Sequence, residues 1–88
     1  MMRREVRWFA ERMEAELCAN DYKGGWEDML LADLLTRLRE EVEELAEAVK
    51  MRAATAHVIS EAADVANFAM MIADVNGGLC GDCAEEIA

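Results

Sequence analysis

At 88 residues, 55% of them apolar and with a formal charge of −10, the chain has room for one small domain. Its acidity excludes binding of nucleic-acid phosphates, which needs clustered Lys and Arg. No apolar run approaches the roughly 20 residues of a membrane span, and Met1-Met2-Arg3-Arg4, with no apolar stretch behind it, predicts no secretory signal. Three cysteines, an odd number, do not describe a disulfide framework, so the expected compartment is the reducing cytoplasm.

Proline is absent, and the five glycines are confined to positions 24–25, 77–78 and 81. A first helix is predicted from Arg3 to Cys18, with Val6, Phe9, Ala10, Met13 and Leu17 at helical spacing. Cys18 reads as ordinary helix packing. Asn20-Asp21-Tyr22-Lys23-Gly24-Gly25 breaks the pattern. A second helix starts near Glu27 or Asp28, either of which suits a helix N-terminus. It runs to about Lys50, with Leu31, Leu34, Leu35, Leu38, Val42, Leu45 and Val49 as one apolar stripe. A turn is predicted over Met51–Thr55, although alanine-rich sequence there favours continued helix. A third helix runs from Ala56 to Val75, and Asn76-Gly77-Gly78 ends it. The fold class is all-α: an antiparallel bundle of about three helices over residues 1–79, followed by a short tail, 80–88. With seven methionines, the apolar content exceeds what so small a core hides. The bundle is therefore expected to be completed by homo-oligomerisation, as a dimer or tetramer.

Two pairs of acids organise the chain, Glu41-x-x-Glu44 and Glu61-x-x-Asp64. A spacing of three puts each pair on one helix face. The pairs are symmetric about residues 52 and 53, and this symmetry is the chief evidence for a turn there. Folded back at that point, Glu41 lies opposite Asp64, and Glu44 opposite Glu61. At about 100° per residue from Leu38, Glu40, Glu43 and Glu47 lie opposite the apolar stripe and face water. Glu41 lies on the stripe's edge and Glu44 in the same flank. On the third helix, Val65, Phe68 and Ile72 define the buried stripe, and Glu61 falls within it. An unpaired ionised carboxylate among apolar groups is costly, so these acids require a proton, a basic partner or a metal. Arg37, Arg39, Lys50 and Arg52 are the basic residues nearby. Oxygen-only ligation suits Mg²⁺ or Mn²⁺. Asn67, one turn past Asp64, is placed to order water or substrate, or is simply a surface amide.

Leu38-Arg39-Glu40-Glu41-Val42-Glu43-Glu44-Leu45, followed by Glu61-Ala62-Ala63-Asp64-Val65-Ala66-Asn67-Phe68, resembles the MazG-like all-α nucleoside triphosphate pyrophosphohydrolases. Their signature is ExxE, a spacer and ExxD, and the resemblance covers roughly residues 26–75. It implies hydrolysis of a (d)NTP between the α- and β-phosphates, giving monophosphate and pyrophosphate. It further implies Mg²⁺ held by Glu41, Glu44, Glu61 and Asp64, with Glu41 helping to polarise the attacking water, and a house-cleaning role in tight dimers or tetramers. Some members carry a tryptophan that stacks on the nucleobase. Trp26 takes that place, or else caps the core, and Lys23 meets a phosphate or is simply exposed. The segment after the third helix is nearly absent here, so the first helix or a partner subunit would supply that wall of the pocket. Phosphoribosyl-ATP pyrophosphohydrolase and all-α dUTPase use the same acids.

The competing reading from another class is a non-catalytic acidic helical dimer that binds a partner protein. Ferritin-like di-iron bundles fall away, because they need two Glu-x-x-His motifs. His57, one turn before Glu61, reads as an interfacial histidine or a partner of that acid. Cys80-Gly81-Asp82-Cys83 is half a zinc site without a second pair, and its cysteines read as incidental.

Overall fold

The computed structural model describes residues 1–78; the Cys80 and Cys83 reading and the 80–88 tail lie outside them. Helix α1 spans Arg4–Asn20 and passes into a single 3-10 turn, Asp21–Lys23. Helix α2 spans Leu31–Lys50 and α3 spans Thr55–Val75. There is no strand among the described residues. Helix α3 is central and packs on both α2 and α1. None of the helices is long and apolar enough to cross a membrane.

The predicted hairpin turn is present, and it is a Schellman ending. The Ala53 amide donates to the Ala48 carbonyl (2.9 Å) and the Arg52 amide to the Val49 carbonyl (3.2 Å). This geometry puts Arg52 at φ 54, a left-handed conformation that usually falls to glycine. At the far end of α3, Gly77 takes the equivalent conformation, φ 93, without that cost.

The predicted start of α2 at Glu27 or Asp28 is corrected to Leu31. The Met29 amide closes a turn on the Trp26 carbonyl (3.0 Å), and Leu30 stays extended as the N-cap, with no side-chain cap. Residues 24–30 are instead spent carrying Trp26 across to α3, where its indole N–H donates to Asp74 Oδ2 (2.9 Å).

Burial also differs from the periodicity. Three residues of the α2 stripe turn inward, Leu34 buried and Leu38 and Leu45 half-buried, and Ala48 beside them is buried too. The others, Leu31, Leu35, Val42 and Val49, are at least 41% exposed. On α3 the predicted stripe of Val65, Phe68 and Ile72 is only half-buried. The deepest residues are Ala63 and Asn67, on the opposite side, because α3 is covered by two helices rather than one. Helix α1 buries no residue fully; Phe9, Met13 and Leu17 are half-buried, but Val6 and Ala10 are exposed. Cys18 is exposed as well, against the packing role expected of it.

Candidate active site

The hairpin brings three of the four paired acids together. Glu41 from α2 and Glu61 and Asp64 from α3 each offer an oxygen, all within 4.8 Å of one another. Glu41 is only 7% exposed. Glu44 is exposed and lies outside this tight cluster, but its charge is near enough to act on Glu41.

Packing acids this closely has an electrostatic cost. Burial, then the neighbouring Glu44 and Asp64 charges, push the Glu41 carboxyl up to about 7, although Arg37 pulls the other way. Burial, then the charges of Glu16, Glu61 and Glu44, push Asp64 up to about 6, with Lys23 opposing. Arg37 is a direct basic partner: its Nη2 lies 3.3 Å from Glu41 Oε1 and its Nε 3.5 Å from Glu40 Oε1. Its guanidinium also sits 5.3 Å over the Phe68 ring. Arg39, Lys50 and Arg52 make no ion pair among the described residues. His57 Nε2 stands 3.6 Å from Glu61 Oε1.

Among the described residues, two carboxylate oxygens of the cluster remain without a partner. Glu41 Oε2 and Glu61 Oε2 are buried and accept no hydrogen bond. Buried polar atoms are normally satisfied, so an all-oxygen pocket with two orphaned acceptors fits a hard divalent cation. Glu41, Glu61 and Asp64 are the residues able to hold it, with Glu44 beside them.

A cleft of about 400 Å³ opens from this cluster. Glu41 and Asp64 lie along it, and so do Lys23 and Trp26 from the segment before α2, and Glu16 from α1. The first helix thus contributes one side of the cleft. Asn67 also lines the cleft, but it is no surface amide. It is 3% exposed and its Nδ2 donates to the Met13 carbonyl (3.0 Å), tying α3 to α1. Its Oδ1 is buried and unpartnered.

Glu16 is the site residue that the motifs missed. Its Oε1 accepts a hydrogen bond from Ser60 Oγ at 2.6 Å, which holds the carboxylate toward Asp64. A signal for it existed: on α1 it falls about 60° from Met13, at the edge of the apolar face, as Glu41 does on α2.

Among known proteins, the family model for phosphoribosyl-ATP pyrophosphohydrolase matches residues 6–88. No curated protein and no solved structure gives a significant match.

Proposed function

The chain belongs to the phosphoribosyl-ATP pyrophosphohydrolase family, within the MazG-like superfamily, and from this premise we propose that it is a Mg²⁺-dependent enzyme cleaving nucleoside triphosphates to the monophosphate and pyrophosphate. Membership makes it a pyrophosphohydrolase and favours this over a non-catalytic acidic module. The observation that carries the metal-dependent reading is the pair of orphaned buried oxygens, Glu41 Oε2 and Glu61 Oε2, in a three-carboxylate cluster.

Glu41, Glu44, Glu61 and Asp64 form the proposed metal shell. A bound Mg²⁺ or Mn²⁺ would neutralise phosphate oxygens and acidify the attacking water. Glu41, within that shell, would help to polarise the water. Arg37 and Lys23, both along the cleft, meet phosphate oxygens as positive charges. Asn67 holds the α1 wall against α3. Trp26 offers a flat face to the nucleobase, a contact tolerant of base identity.

Substrate choice turns on the far end of the cleft. Phosphoribosyl-ATP carries a further phosphate on the base side, which calls for a cation there. Of the residues lining the cleft, Lys23 and Arg37 are the basic ones, Arg37 is paired with Glu41, and Lys23 acts on Asp64. The other charged residues along the cleft are acids: Glu16, Asp21, Glu41 and Asp64. This favours ordinary (d)NTPs and a house-cleaning role in the cytoplasm; phosphoribosyl-ATP is the second reading, favoured by the family's own description. The exposed row Leu31, Leu35, Val42 and Val49 supports a homodimer or tetramer that covers it.

The test is pyrophosphate release with Mg²⁺ from a panel of NTPs, dNTPs and phosphoribosyl-ATP. Turnover of the triphosphates ahead of phosphoribosyl-ATP is expected. Folded protein inactive on every substrate would contradict the proposal.

A further inference from the structure

The segment joining the 3-10 turn to α2 carries Trp26 into the cleft wall, and very little holds it there. Gly24 adopts φ 92, with open space where a β-carbon would lie, and Leu30 is 68% exposed. Among the described residues, one side-chain hydrogen bond ties residues 24–30 to the helical body: the indole N–H of Trp26 to Asp74 Oδ2, at 2.9 Å and 48 positions away. Both groups are half-buried. Trp26 lines the cleft, as do Phe68 and Met71 of α3. Asp74, one helical turn beyond Met71 and nearly two beyond Phe68, accepts the bond from outside the cleft lining.

We infer that Asp74 is a positioning residue for substrate binding: it fixes the plane of the Trp26 ring, so that the nucleobase meets a preset stacking face. The physical reasons are two. An aromatic ring on a glycine-preceded loop has many orientations, and stacking is productive in few of them; a bond fixed before binding removes that entropic cost. The acceptor is a carboxylate, and hydrogen bonds to charged acceptors are roughly twice as strong as neutral ones. Asp74 lies outside both the acid cluster and the cleft lining, so its effect falls on binding and leaves chemistry unchanged. The inference rests on the proposed stacking role of Trp26, and the test separates the two.

The test uses the full 88-residue chain with ATP and phosphoribosyl-ATP as substrates, in Mg²⁺. Asp74→Ala is expected to raise KM about tenfold with kcat within twofold. Asp74→Asn keeps an acceptor oxygen and recovers most of the loss. Trp26→Phe keeps a ring but removes the donor; it raises KM similarly, and the double variant adds little further. In a Trp8→Phe background, quenching of Trp26 fluorescence by the α,β-methylene analogue of ATP weakens in Asp74→Ala. The inference is overturned if Asp74→Ala leaves KM unchanged while Trp26→Ala raises it. It is also overturned if Asp74→Asn is as impaired as Asp74→Ala, or if kcat falls together with the Tm, which marks a merely structural contact. Unchanged KM in Trp26→Ala itself would overturn the stacking role, and the inference with it.

Discussion

The α2–α3 hairpin and the α1 wall are built on opposite principles. The hairpin gathers like charges: Glu41, Glu61 and Asp64 converge within 4.8 Å, and two of their oxygens have no partner. The wall is held by single polar ties between distant residues, Ser60 to Glu16, Asn67 to Met13 and Trp26 to Asp74. One region gathers electrostatic stress that a bound cation would relieve. The other uses satisfied hydrogen bonds to give a cleft its shape. Chemistry and recognition are thus separable here, and substitutions in the two regions should fail in different ways.

The sharpest contrast comes from removing a charge at the hairpin. Glu41→Gln and Glu61→Gln are expected to lower kcat by about 10²–10⁴-fold while raising the Tm measured in EDTA, because each deletes a repelled, buried carboxylate. Steady-state kinetics beside thermal melting checks both halves.

The next effect is of pH on the metal-free protein. The folded carboxyls of Glu41 and Asp64 hold protons more tightly than their ordinary values of 4.5 and 3.8, up to about 7 and about 6. Stability from that extra proton binding is fully present below the ordinary values and is lost as pH rises through the folded ones. Denaturant unfolding in EDTA is therefore expected to show a loss of order 2–3 kcal/mol between pH 5 and 7.5. Added Mg²⁺ restores it at pH 7.5 and does little at pH 5, where protons occupy the oxygens. Stability that rises over this interval in EDTA would contradict the electrostatic account of the hairpin.

Substitution in the wall has a smaller and different signature. Trp26→Ala removes a stacking face worth about 1–3 kcal/mol per base, so KM rises by about tenfold or more while Mg²⁺ still raises the Tm as in the wild type. Smallest is the turn. Arg52→Gly relieves a left-handed arginine and is expected to stabilise the fold by up to about 1 kcal/mol, with unchanged kinetics, as read from the denaturant midpoint.

The same division governs what the sequence reveals. The hairpin is written locally: acid pairs at spacing three, mirrored about residues 52 and 53, gave the turn and the convergence of Glu41, Glu61 and Asp64. The turn's own mechanism is not written there, because Arg52 adopts a conformation that no glycine advertises. The inner face of α3 was misplaced since that helix is apolar nearly all round, and periodicity cannot tell one apolar side from another. The wall depends on contacts between residues 44 to 54 positions apart, which no local pattern encodes. The late start of α2 follows from one of them, the bond from Trp26 to Asp74. Glu16 is the exception, since its place at the edge of the α1 apolar face carries the same angular signature as Glu41.

Calorimetric titration of the metal-free protein with Mn²⁺ at pH 6.5, in buffers of different ionisation enthalpy, tests the hairpin site most directly. Saturable binding that releases protons, and that disappears in Glu61→Gln, is the predicted result. No saturable binding by the folded wild-type chain, or binding unchanged in Glu61→Gln, would contradict it.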